Sequence, residues 1–216
     1  MLAYGCKALT PVVQTRSKLA DIMNAGCDGF ETDIRITSDG VYVLRHDGYV
    51  NGVNISTSTY AELLAADSEL LTLDQMLSLQ KEHHLIAVYE SKILDQPHAH
   101  PIVDAIVSSG VELMDTFIEA YSFPGTPLFT DYNKAINVIW KGGTLSDEGI
   151  ALAAESLTGV NSVLFTIDQS ALPSFSNEWV EKIHALGLGL VADPITAGAV
   201  TTYAQYPFDQ IWNSGI

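Results

Sequence analysis

Glu31-Thr32-Asp33 sets two carboxylates two positions apart within a strand-like run, 29–36, that also holds Phe30, Ile34 and Ile36. Strand side chains alternate with period two, so Glu31 and Asp33 share a face. Carboxylates held side by side repel unless a proton or a cation lies between them. Their oxygens suit hard divalent ions such as Ca2+ or Mg2+, and the pair reads as half of a metal site. Glu90 is a third candidate ligand. It closes the apolar run 85–90 within Val88-Tyr89-Glu90-Ser91-Lys92, where a barrel strand would reach an active-site mouth. Lys92 shares the face of Glu90 and offers positive charge to an anionic substrate.

A histidine joins them by a count across a turn. Only Thr37-Ser38-Asp39-Gly40 separates Ile36 from Val41. A parallel crossover needs a dozen or more residues, so this connection is a hairpin. Asp39-Gly40 is a two-residue turn signal. With that turn Ile36 pairs with Val43 and Asp33 with His46. Opposed residues stand about 4.5–5.5 Å apart at Cβ, so Glu31, Asp33 and His46 come together. A bulge at Gly40 would slip the register by one residue and undo this. His46 in that place is a candidate general acid toward a leaving oxygen. Arg45 falls on the other face and reads as structural. His83-His84 reads as a solvated helix end, and His98 and His100 as a loop before Pro101.

The elements that must position these residues alternate. Strand-like runs cover 2–6, 29–36, 41–46, 85–90, 113–120, 136–140, 162–167, 188–192 and 210–212. Helical patterns cover 15–25, 59–65, 73–83, 101–109, 147–155, 177–186 and 196–206, with 126–134 helical as well. Thr72 with Gln75 three residues later forms a capping-box pattern. Such alternation indicates a parallel sheet. About eight units fit one closed (β/α)8 TIM-type barrel over residues 1–216. An open doubly wound sheet is the alternative; the first βα turn lacks G-x-G-x-x-G, so a dinucleotide site has no support.

The composition is globular, 47% hydrophobic and 17% charged over 216 residues. The net charge of −16, from 26 acidic and 10 basic residues, repels nucleic acid and anionic membranes. Cys6 and Cys27 are too few for a disulfide framework and read as packed thiols. No run is long enough to span a membrane, so stable membrane insertion is not expected. The N-terminus lacks a signal-peptide layout, so a cytoplasmic location is the default. The chain is equally compatible with being one part of a longer protein. Oligomeric state is not legible.

The continuous segment from Gly26 to Asp47, GCDGFETDIRITSDGVYVLRHD, resembles the core signature of glycerophosphodiester phosphodiesterases. Thr59-Tyr60-Ala61-Glu62-Leu63, Leu71-Thr72-Leu73-Asp74-Gln75-Met76-Leu77 and Tyr89-Glu90-Ser91-Lys92 resemble the segments that follow in that family. The resemblance implies a (β/α)8 barrel with a small hairpin insertion after the second strand. It implies Glu31, Asp33 and Glu90 as ligands of Ca2+ or Mg2+, His46 as one of two catalytic histidines, and Lys92 as a phosphate contact. The implied substrate is a small-molecule glycerophosphodiester, hydrolysed to glycerol 3-phosphate and an alcohol. The family's first strand ends in His-Arg-Gly, whereas this chain has Ala3-Tyr4-Gly5-Cys6-Lys7. Half of the histidine pair and a phosphate-binding arginine are therefore missing. That departure implies impaired activity, or a catalytically inactive metal- and ligand-binding module of a larger assembly. Another phosphodiester, such as a phosphoinositide, is a further alternative.

Overall fold

In the computed structural model the described residues are 15–24, 26, 29–93, 96–120, 129, 131–140, 146–148, 150–151, 163–167, 177–187, 189–195 and 210–213. The expected strand at 2–6, the helix at 196–206, both cysteines and residues 126–128 and 130 of the expected helix 126–134 lie outside them. The strands are β1 (Gly29–Ile36), β2 (Tyr42–Leu44), β3 (Tyr49–Val50), β4 (Val53–Asn54), β5 (Ile86–Ser91), β6 (Thr116–Ala120), β7 (Asn137–Trp140), β8 (Val163–Ile167), β9 (Gly189–Ile195) and β10 (Gln210–Asn213). The helices are α1 (Arg16–Asn24), α2 (Tyr60–Ala66), α3 (Leu73–His83), α4 (Gln96–Ser109) and α5 (Asn177–Ala185).

One sheet runs in the order β10-β9-β8-β7-β6-β5-β1-β2. Every neighbouring pair is parallel except β1 with β2. From β5 to β10 each strand lies beside its predecessor, with no reversal of direction. That progression is the winding of a barrel; a doubly wound sheet reverses at a switch point. β5 and β6, in the middle of the sheet, are buried on both faces. Phe30, Ile34, Tyr89, Ile118 and Val138 pack with Leu77, Ile102 and Ile106 of the covering helices. On the opposite face Val88, Phe117 and Ile139 form a small apolar layer, two residues below the carboxylates on β5 and β6.

Helix starts follow the sequence signals. Thr72 accepts from the Gln75 amide, and Gln75 reaches back to the Thr72 amide. α4 departs from the sequence expectation. It begins at Gln96 rather than Pro101, so His98 and His100 are helical and not in a loop. Pro97 lies in the first turn, where amides have no intrahelical partner, whereas Pro101 is inside the helix and removes one intrahelical bond. A buried hydrogen-bond chain ties α3 to the sheet. The Tyr89 hydroxyl donates to Gln80 Oε1 at 2.9 Å, and Gln80 Nε2 donates to Thr116 Oγ1 at 2.7 Å. Burial pushes the Tyr89 phenol well above its ordinary range, which keeps it neutral and donating.

The β1–β2 hairpin has a loop one residue longer than the two-residue turn, beginning at Ser38. Ile36 pairs with Tyr42 and Ile34 with Leu44. Thr37 accepts from the Gly40 amide at 3.1 Å and donates its own amide to Val41 at 3.0 Å. Gly40 sits at φ +82°. Ser38-Asp39-Gly40 is thus a three-residue loop with its glycine in the left-handed region, the alternative hairpin geometry that carries a bulge. The Asp33–His46 pairing is therefore corrected. Arg45 takes that place, its amide donating to the Asp33 carbonyl at 2.9 Å.

Beyond β2 the chain forms a small insertion before α3. It comprises the β3–β4 ribbon, a 3-10 turn at Ile55–Thr57 and α2. Val43, Val50, Ile55, Leu63 and Leu70 make its own core. Asp39 joins the hairpin to this insertion, accepting from Thr37 Oγ1 and from the Tyr60 amide at 3.0 Å. Chiefly the Thr37 hydroxyl, helped by the Tyr60 amide, holds the Asp39 carboxyl below its usual range. A group with a depressed folded-state pKa stabilises the fold above its unfolded pKa and loses that contribution as pH falls through the folded value. The thermal midpoint is expected to fall on acidification below the ordinary aspartate range. Asp39→Asn is expected to flatten that fall, as measured by thermal unfolding across pH.

Gly29 marks a close strand contact. A Cβ there would lie 2.5 Å from the Ile86 carbonyl oxygen and 2.9 Å from Ile86 Cβ. Gly29→Ala is expected to push β1 from β5 and destabilise the protein by about 1–3 kcal/mol. Denaturant unfolding checks this, and an unchanged midpoint would contradict the close packing.

Candidate active site

The period-two alternation along β1 puts Glu31, Asp33 and Arg35 on the face occupied by Val88, Glu90 and Phe117. The parallel register brings Asp33 beside Glu90 and Glu90 beside Glu119. These residues lie toward the C-terminal ends of β1, β5 and β6, the end where barrel enzymes build their sites. The apolar layer below them excludes water from one side. Asp33, Glu90 and Glu119 are buried, and Glu31 is half-buried.

Glu31, Asp33 and Glu90 each offer a carboxylate oxygen, and these oxygens lie within 4.8 Å of one another. At an effective dielectric near 20, two like charges at that separation repel by about 3 kcal/mol. A domain has only about 5–15 kcal/mol of stability in total, so the group needs a cation. Lys92 supplies one from the chain itself. Its ammonium lies 3.0 Å from Asp33 Oδ1 and also contacts Glu90 Oε1. The backbone places it there, because the Lys92 amide donates to the Ile34 carbonyl at 3.2 Å. All three expected carboxylates and the expected lysine are thus brought together.

His46 stands elsewhere. The register puts Arg45, not His46, across from Asp33, and His46 is not part of the close carboxylate group. Its side chain is 43% exposed and its Nδ1 lies 2.9 Å from Asp47 Oδ1. That contact, more than any other, holds the Asp47 carboxyl below its usual range. The His46 backbone is nevertheless fixed to the mouth. The Arg35 guanidinium donates through Nε and Nη2 to the His46 carbonyl, and through Nε to the Arg45 carbonyl. Arg45 is buried, with Nη1 3.5 Å from Asp67 Oδ2, in agreement with a structural role.

Two residues were not singled out from the sequence. Glu119 is fully buried and sits next to Glu90 across the β5–β6 ladder. Its signal was a lone carboxylate in the apolar run Thr116-Phe117-Ile118-Glu119-Ala120. Arg35 continues the face of Glu31 and Asp33 and, with Lys92, lines a cavity of about 320 Å³ between the strand ends and the insertion. The period-two count that linked Glu31 to Asp33 would have reached it.

A parallel α/β sheet with carboxylates and a lysine at the ends of adjacent strands defines a barrel of the phosphate-ester hydrolase kind. The chain belongs to the Glycerophosphoryl diester phosphodiesterase family, whose pattern matches residues 15–188. Its reaction class is therefore that of a phosphoric diester hydrolase, and its fold is the family's (β/α)8-type barrel. A glycerophosphodiester phosphodiesterase from Parabacteroides distasonis is similar in structure, with a TM-score of 0.78 and 20% identity, over 98% of this chain and 92% of that one. One from Thermotoga maritima gives 0.77 and 15%, over 99% and 95%. A phosphodiesterase from Oleispira antarctica, solved with the product sn-glycerol-3-phosphate, gives 0.73 and 17%, over 98% and 92%. No curated protein matches the sequence significantly. Among the described residues no helix is long and apolar enough to cross a membrane.

Replacing Lys92 tests the charge balance. Lys92→Met is expected to destabilise chelator-treated protein by on the order of 3 kcal/mol, because it leaves buried carboxylates without their cation. Lys92→Arg is expected to lose less. Equal stability of Lys92→Met and the natural chain in denaturant unfolding would contradict this balance.

Proposed function

We propose that the chain hydrolyses a glycerophosphodiester to glycerol 3-phosphate and an alcohol, with Glu31, Asp33 and Glu90 holding a divalent ion, Ca2+ or Mg2+. The observation that carries this reading is the three-carboxylate group with Lys92 against two of its members, in a chain of this family. The donor set fits the ion, since hard cations take carboxylate oxygens and the three are already close. When bound, the ion supplies charge neutralisation and polarisation at the phosphoryl oxygens.

The chain's own side chains do the rest. Lys92, beside Asp33 and Glu90, would hold a phosphate oxygen through its ammonium. His46 protonates the leaving alcohol oxygen. Its Nδ1–H is directed to Asp47, which leaves Nε2 as the atom that hands over the proton. The Arg35 hydrogen bonds to the carbonyls on either side of the Arg45–His46 peptide steady this segment at the mouth. The buried layer of Val88, Phe117 and Ile139 keeps the carboxylates from bulk water on one side. Activity is low in this reading, because the first-strand histidine and arginine of the family are replaced by Tyr4 and Gly5. Loss of one acid–base group typically lowers the rate by about 10²–10⁴-fold.

The test is hydrolysis of glycerophosphocholine with Ca2+ or Mg2+. Slow, metal-dependent turnover is expected, abolished in Glu31→Ala and reduced by about 10²–10⁴-fold in His46→Ala. No turnover above the Glu31→Ala control would overturn the hydrolase reading. Added Ca2+ or Mg2+ is expected to raise the thermal midpoint of the natural chain and to raise that of Lys92→Met further.

A second reading rests on the same missing residues. The barrel is then a non-catalytic module that binds a metal ion and a phosphorylated or polyol ligand. Metal-dependent thermal stabilisation without turnover favours it. Turnover that appears only when Tyr4→His and Gly5→Arg are combined would establish it.

A further inference from the structure

The cavity at the mouth has a one-sided chemistry. Its described lining is Arg35, Ile36, Gly48, Asn54, Ile55, Ser56, Lys92 and Ile93; of these, Arg35, Lys92 and Asn54 carry the argument. Both charged members are cations, in a chain whose net charge is −16. Arg35 and Lys92 are also neighbours, one position beyond the last registered pair of β1 and β5, Ile34 and Ser91. No carboxylate and no aromatic ring is among the described lining residues.

The hydrogen-bonding capacity is biased in the same direction. A guanidinium has five N–H donors. In Arg35, Nε and Nη2 serve the Arg45 and His46 carbonyls, and Nη1 has no bond to a described residue. Asn54 Oδ1 is occupied, accepting from the Thr57 amide at 3.2 Å, Ser56 Oγ at 2.9 Å and Thr57 Oγ1 at 3.3 Å. Its Nδ2 has no partner among the described residues. The cavity therefore presents N–H donors, while its principal side-chain acceptor is already used. Its rear wall of Ile36, Ile55 and Ile93 matches carbon.

We infer that this cavity is the subsite for the alcohol portion of the diester, and that it takes an uncharged polyol such as glycerol or inositol rather than an alkylammonium group. This rests on the hydrolase reading above and names its substrate class. A hydroxyl-rich group offers oxygen acceptors to Arg35 and Asn54, next to the phosphate oxygen held by Lys92. A choline or ethanolamine group would lie between two cations, with neither a carboxylate nor an aromatic face to receive it.

The experiment compares kcat/KM for glycerophosphoglycerol, glycerophosphoinositol, glycerophosphocholine and glycerophosphoethanolamine, for the natural chain and for Asn54→Asp. An aspartate keeps the cap on the 3-10 turn and places a carboxylate in the cavity. The natural chain is expected to favour the two polyol esters by about tenfold or more, and Asn54→Asp to shrink that ratio by about tenfold. Equal or better use of the choline ester would overturn the inference. So would an unchanged ratio in an Asn54→Asp protein whose thermal midpoint shows it folded. If no ester is turned over beyond the Glu31→Ala control, the hydrolase reading fails separately. The preference is then read by calorimetric titration of the same four esters with Ca2+ present, where equal affinities or no binding overturn the inference.

Discussion

Like charge gathered at the ends of adjacent strands is the constraint on which the rest of this structure depends. Glu31, Asp33, Glu90 and Glu119 crowd one end of three neighbouring strands, and three of the four are buried. Such a group stands only if positive charge is held against it. Lys92 meets part of that need, and its position follows from the backbone ladder between β5 and β1. The sheet must then be stiff enough to keep mutually repelling groups in place. That stiffness comes from double-sided burial: helices α3 and α4 on one face, the Val88, Phe117 and Ile139 layer on the other.

The same constraint divides the molecule's surface from its mouth. The exterior is strongly acidic, which would oppose the approach of any anion. In the cavity at the mouth the charged residues of the described lining are two cations, Arg35 and Lys92. An anionic ester therefore meets repulsion at long range and attraction only at close range. Salt shortens the reach of the first far more than the second, because buried and partly buried pairs are screened least.

Much of this was legible in the sequence, and the exceptions have physical causes. The pair in β1 was readable because strand alternation is rigid and the flanking residues are apolar. Glu90 and Lys92 were readable because they end an apolar run. The register of the β1–β2 hairpin was not, since Asp39-Gly40 suits both a two-residue turn and a three-residue loop with glycine left-handed. Asp39's bonds to Thr37 and Tyr60 hold the longer form in place, and Tyr60 lies too far along the chain for a local pattern to reveal it. The early start of α4 was hidden by Pro97 and Pro101: Pro97 falls in the first turn, where no intrahelical amide is needed, and the helix runs on through Pro101 with one bond fewer. Glu119 was passed over because one acidic residue in an apolar strand looks ordinary until its neighbour across the ladder is known.

The three-residue loop at Ser38-Asp39-Gly40 has a consequence for how this site could change over time. Because side chains alternate, its length decides which of two consecutive residues, Arg45 or His46, stands across from Asp33. The loop acts as a vernier. Closure of the same residues by a two-residue turn at Asp39-Gly40 would set His46 rather than Arg45 across from Asp33, without altering a residue of the site itself. A change of turn type away from the chemistry would thus change which side chain faces the carboxylates with no substitution at all.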